Sequence, residues 1–173
     1  MISFSSSLRP IPRIVVVVFL LLFCWDAHDG AAQQSKPNLS GTWKLNRAKT
    51  KRPPWWQETK DYSCVIKHSE PTISMTHIFE GGTETDFYLT DGKERMANSL
   101  HYDEQIRAKT YWVGNTLVIE SHRERGGFLA SVWTSRYELS EDGKILLESE
   151  HFLKSSSSDK PFDVFRTFEK QPR

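Results

Sequence analysis

The chain has 173 residues, with 23 Lys+Arg against 22 Asp+Glu and a formal charge of +1. A balance this close to zero leaves no cationic surplus to neutralise a phosphate backbone, which argues against a nucleic-acid partner. The 38% hydrophobic and 26% charged content is that of a folded domain and not of a disordered chain.

The N-terminus reads as an export segment. Arg9 and Arg13 stand in a stretch without acids, Ile14 to Trp25 is an uninterrupted apolar run, and Gly30-Ala31-Ala32 supplies small residues after a polar stretch. This order predicts a signal peptide over 1–32, cleaved after Ala32, and a single mature domain over 33–173. The apolar run is shorter than the roughly 20 residues a membrane helix needs, so no stable span is expected after processing. The predicted location is secreted or periplasmic, with lipidation at Cys24 or a retained anchor as alternatives. Cleavage would leave Cys64 as the one cysteine, which excludes an internal disulfide and points to a small buried hydrophobe.

From residue 41 onward, short runs of β-branched, aromatic and alternating residues end at Gly, Asp, Asn or Pro. They predict strands at 41–46, 61–68, 72–79, 84–90, 94–98, 105–113, 116–123, 129–139, 144–153 and 162–170. Helix is limited to a turn or two near 47–51 and 98–104. Gly114-Asn115 suits a two-residue turn that places Trp112 opposite Leu117, Thr110 opposite Ile119 and Lys109 opposite Glu120. A three-residue loop at Glu141-Asp142-Gly143 predicts Leu139 opposite Ile145, Tyr137 opposite Leu147, Trp133 opposite His151 and Arg136 opposite Glu148. The Glu70-Pro71 turn predicts Ile66 opposite Met75 and Cys64 opposite His77. Sequential antiparallel strands, each with one apolar face, hide both that face and their edges by closing. The predicted fold is therefore all-β, an antiparallel up-and-down β-barrel of about eight to ten strands, with a β-sandwich as the alternative.

Gly41-Thr42-Trp43 opens the first strand, and Arg166 lies in the last, within Asp163-Val164-Phe165-Arg166-Thr167-Phe168. This pairing resembles the lipocalin and wider calycin barrels. NLSGTWKLNRAKT, the DGK turn at 91–93, TYWVGNTLVIES and YELSEDGKILLE are similar to secreted bacterial lipocalin-like proteins over most of 38–170. The resemblance implies a barrel that binds a small, mostly apolar molecule; the barrel is expected to be a monomer. It also implies structural roles for Gly41, Trp43 and Arg166, with the guanidinium packed over the indole to close one barrel end. It brings no catalytic residue.

The inward set expected from the alternation is Ile66, Met75, Phe87, Leu89, Trp112, Leu117, Ile119, Trp133, Tyr137 and Leu147, either a filled core or a pocket lining. Polar residues among them tilt the reading toward a pocket. The candidate ligand contacts are Met75, Phe87, Thr110, Trp112, Leu117, Trp133, Tyr137, Leu147 and His151. Trp55-Trp56 is expected to fold over one barrel end with one ring buried, the alternative being a mobile rim that gates or contacts ligand. No zinc spacing, nucleophile elbow or inward pair of carboxylates is found, so neither metal nor catalysis is expected. No cofactor is expected either, the alternative being haem held by His77 or His151. The functional reading is a binder of a small hydrophobic or aromatic molecule; its alternative is a filled barrel acting through its loops, as an inhibitor or envelope component.

Overall fold

A computed structural model describes residues 36–57, 60–101 and 104–172. The export segment predicted over 1–32 lies outside the described residues. The compact unit runs from Pro37 to Arg173. Its strands are β1 (Gly41–Leu45), β2 (Ser63–Ser69), β3 (Thr72–Phe79), β4 (Gly82–Leu89), β5 (Glu94–His101), β6 (Glu104–Val113), β7 (Thr116–Arg125), β8 (Phe128–Leu139), β9 (Ile145–Lys154) and β10 (Phe162–Lys170). A 3-10 turn at Arg47–Lys49 follows β1, capped by the Asn46 side chain accepting from the Lys49 N–H. The second helical turn, expected near 98–104, is instead strand up to His101 and again from Glu104.

All ten strands form one sheet in the order β4-β3-β2-β1-β10-β9-β8-β7-β6-β5. Each neighbouring pair is antiparallel, and the pairing of β1 with β10 curls the meander into a nearly closed barrel. Among the described residues β4 and β5 form no ladder; across that opening Asn98 Nδ2 donates to Asp86 Oδ1 at 2.8 Å. No described helix is long and apolar enough to cross a membrane.

Two hairpins adopt the predicted register. Trp112 faces Leu117, Thr110 faces Ile119, and Lys109 faces Glu120, whose charged groups lie 3.5 Å apart outside the barrel. Ile66 faces Met75 and Cys64 faces His77 across the Glu70-Pro71 turn. The β8–β9 hairpin differs by one residue: Leu139 faces Leu146, Tyr137 faces Glu148 and Trp133 faces Phe152. Its loop is wider than three residues because Ser140 closes it from both sides. The Ser140 N–H donates to the Ile145 carbonyl at 2.9 Å, and Ser140 Oγ accepts from the Ile145 N–H at 2.9 Å. Since side chains alternate, a slip of one residue turns the whole of β9 over. Leu147 and His151 thus move to the outer wall and Glu148, Glu150 and Phe152 move inside.

One half of the interior is filled. Leu39, Trp43, Ile66, Ile73, Met75, Leu117 and Leu146 are buried, with Phe168 beside them. Trp43 is fully buried and its indole N–H donates to the Leu39 carbonyl at 3.0 Å. A cation lies above its ring where Arg166 was expected: Lys170 Nζ, 5.1 Å from the centroid. The register dictates this placement, since Trp43 lies opposite Lys170 whereas Arg166 lies opposite Glu148. Gly41 leaves room for it: a Cβ there would come within 2.9 Å of Lys170 Cε.

Candidate functional site

The other half of the barrel holds a cavity of about 420 Å³. Beside it runs a ladder of inward side chains from β8, β9 and β10, fixed by the register, of which Trp133, Ser135, Tyr137, Glu148, Glu150, Phe152 and Arg166 line the cavity. Nearest the loops stand Trp133, Phe152 and Phe162. Ser135, Glu150 and Val164 form the next rung, Tyr137, Glu148 and Arg166 the one below, and Leu139, Leu146 and Phe168 join the packed half. The outward positions of β9 and β10 mix apolar and polar residues, Leu147 and Phe165 among them, so the charged rungs come from residues that look like a solvent face in the sequence.

Arg166 Nη1 lies 2.9 Å from Glu148 Oε2 and also contacts Glu150 Oε2. Tyr137 Oη donates to Glu148 Oε1 at 2.5 Å, and Ser135 Oγ donates to Glu150 Oε1 at 3.3 Å. Buried charges of this kind persist where they are paired and hydrogen-bonded, as here.

The aromatic rung is covered by the segment between β1 and β2. Trp56 packs on Phe152 and Phe162, with centroids 5.2 and 5.3 Å away, while Trp55 is 49% exposed. One ring of the pair is thus folded over the barrel end, as expected from the sequence. Trp56 Nε1 is buried without a hydrogen-bond partner among the described residues.

Across the cavity stand Tyr62, His77, Asp86 and Tyr88. His77 Nδ1 lies 2.6 Å from Tyr62 Oη, and its Nε2 lies 3.3 Å from Asp86 Oδ2. Asp86 also accepts from Asn98 and, at 3.2 Å, from Tyr88 Oη. Burial pulls the His77 pKa down, but the bond to Asp86 and the neighbouring Cys64 outweigh it and lift the value to about 10. Burial raises Tyr62, Tyr88 and Tyr137 well above the usual phenol value, helped by Glu148 at Tyr62 and Tyr137 and by Asp86 at Tyr88. All three phenols are therefore proton donors at neutral pH.

The predicted site residues divide three ways. Trp133 and Tyr137 line the cavity. Met75, Thr110 and Leu117 are fully buried in the packed half, and Trp112 packs against it, its N–H donating to Glu70 Oε1 at 2.6 Å. Phe87, Leu147 and His151 face outward and are not barrel contacts. Phe87 is 61% exposed because β4 turns the other way: Asp86 lies opposite the buried Met75, and directly paired residues share a face. Leu89, on the Phe87 face, is displaced with it. Leu147 is 45% exposed beside Phe165 on the outer wall, and His151 pairs with Asp163 at 2.7 Å. The haem alternative does not fit, since His151 is outside the barrel and both His77 nitrogens are engaged. Tyr62, Asp86, Glu148 and Glu150 were missed as site residues; the inward Arg166, directly opposite Glu148, is the signal that points to that carboxylate.

The ten strands form a nearly closed, antiparallel up-and-down β-barrel with a part-polar interior. The sequence matches no protein-family model and no curated relative. Among solved structures, a protein described as the REP1-NXSQ fatty acid transporter superposes with a TM-score of 0.56 at 11% identity, over 78% of this chain and 97% of that one. Fatty-acid-binding protein 1 of Echinococcus granulosus superposes with a TM-score of 0.53 at 10% identity, over 77% of this chain and 97% of that one. The superpositions show a shared fold and, at identities this low, nothing finer.

Proposed function

We propose that this protein is a non-enzymatic carrier that binds one small, mainly hydrophobic molecule inside its barrel, outside the cytoplasm, as a monomer. The observation that carries the reading is the 420 Å³ cavity between a packed barrel end and an aromatic rung. Pockets of a few hundred Å³ with apolar walls and a few placed polar groups are the usual form of small-molecule sites. Ile106, Ile119, Trp133 and Phe152 supply the apolar contacts, and the phenols and hydroxyls supply orientation. The structural neighbours, named for fatty acid transport and binding, add support through their shared architecture. The predicted export segment at 1–32 supports the extracytoplasmic part, and the balanced net charge gives a nucleic acid nothing to hold.

The test is titration with a neutral apolar fluorophore such as Nile red. Saturable binding at one site per chain is expected in the parent. Ser121→Phe, which fills the cavity from the β7 position opposite Trp133, should abolish it. Leu147→Ala, on the outer wall, should leave it unchanged. Absence of saturable binding in the parent, or equal binding by Ser121→Phe, refutes the reading.

A further inference from the structure

The Tyr62–His77–Asp86 wall is more elaborate than packing requires. Tyr62 stacks on His77 with centroids 5.9 Å apart and an interplanar angle of 8°, and its edge is held by Phe168. Asp86 sits on one imidazole nitrogen and the Tyr62 phenol oxygen on the other. Acceptors on both nitrogens suit the imidazolium, which donates from both, and the raised His77 pKa agrees. When His77 Nδ1–H donates to Tyr62 Oη, the phenolic proton must point elsewhere. Among the described residues none accepts it, and Tyr62 lines the cavity. The same cavity holds two further buried donors without a partner among the described residues, the Trp56 N–H and the Arg123 Nε–H, the latter on a guanidinium whose Nη1 already faces Glu104.

We propose that Tyr62, positioned and polarised by His77 and Asp86, is the hydrogen-bond anchor for a carbonyl oxygen of a neutral apolar ligand, which the barrel prefers to a free fatty acid. The inference rests on the barrel-binding reading and names its ligand class. Its second half follows from the charges. Glu84, Asp86, Glu148 and Glu150 all line the cavity. The cations there already face carboxylates: Arg166 faces Glu148 and Glu150, His77 faces Asp86, and Arg123 faces Glu104 at 3.3 Å. A ligand carboxylate entering this low-dielectric space meets like charge, whereas a ketone, ester or amide oxygen meets a proton donor with a cation behind it.

The test compares three chains of similar length in the full protein: 2-tridecanone labelled with ¹³C at the carbonyl, tridecane, and tetradecanoate, each displacing Nile red. The ketone is expected to bind about tenfold tighter than either of the others, the difference one well-made hydrogen bond supplies. The infrared band of the labelled carbonyl should move to lower frequency on binding than in hexane. In Tyr62→Phe, which keeps the ring packing, the band should return to its hexane position and the ketone advantage over tridecane should vanish. His77→Gln should give an intermediate shift, a readout that a purely structural role would leave alone. Ketone binding with an unshifted band, or a shift retained in Tyr62→Phe, overturns the anchor. Tetradecanoate binding as tightly as the ketone overturns the preference while leaving the barrel-binding reading intact. If Nile red binds nowhere in the parent, that reading fails and the inference fails with it.

Discussion

Replacing Arg166 by Met keeps an unbranched apolar stem but removes the cation between Glu148 and Glu150. The two carboxylates are inside the barrel, with side-chain exposures of 4% and 12%, and Arg166 itself is 8% exposed. Water therefore cannot step in cheaply. Removing one member of a buried ion pair costs about 3–5 kcal/mol, most of it the penalty of leaving charge behind. For a domain of this size each kcal/mol moves the melting temperature by about 3–5 °C, so the Arg166→Met variant should melt about 10–20 °C below the parent. Thermal denaturation followed by circular dichroism at pH 7 measures this. Adding Glu148→Gln and Glu150→Gln to Arg166→Met should recover much of the loss, because the stranded charges are then gone. An Arg166→Met variant that melts within 2–3 °C of the parent would refute the buried triad.

His77 gives a pH-dependent counterpart. Its folded pKa of about 10 stands above the usual imidazole value of 6.5, so its contribution is fully present below about pH 6.5 and is lost as pH rises through about 10. The parent should therefore lose stability relative to His77→Gln between pH 7 and pH 10.5, by on the order of a few kcal/mol in paired denaturant titrations. Parallel curves for the two proteins would contradict the assignment. Trp43→Ala should cost about 3–5 kcal/mol of unfolding free energy, whereas Trp55→Ala, half exposed on the loop, should cost under about 1 kcal/mol. Equal losses would place the barrel plug elsewhere. Protein recovered from its native host is expected to begin at Gln33, as N-terminal sequencing would show; recovery of the intact or Cys24-lipidated chain would reject the proposed processing.

The strands were legible because their alternation and turn punctuation are local. β3 and β10 occupy the predicted ranges, and the Gly114-Asn115 and Glu70-Pro71 hairpins took the register their turn residues imply. The polar interior was not legible, for two reasons of physical chemistry. At Ser140 a side chain joins the turn, and composition alone does not reveal that the loop is one residue wider, yet that residue decides which face of β9 is buried. On β4, Phe87 and Leu89 look like the core face, but the pairing of Asp86 with Met75 puts the aspartate inside, where His77, Tyr88 and Asn98 satisfy it. Hydrophobicity patterns assume apolar interiors. A barrel that keeps a half-polar cavity violates that assumption at the residues that make its site.

Native mass spectrometry of the mature protein purified without ligand removal tests the carrier account most directly, with Ser121→Phe beside it. The account predicts one small-molecule adduct per chain in the parent, released on denaturation, and a bare chain for the folded Ser121→Phe variant. A bare parent chain, or the same adduct on Ser121→Phe, would contradict it.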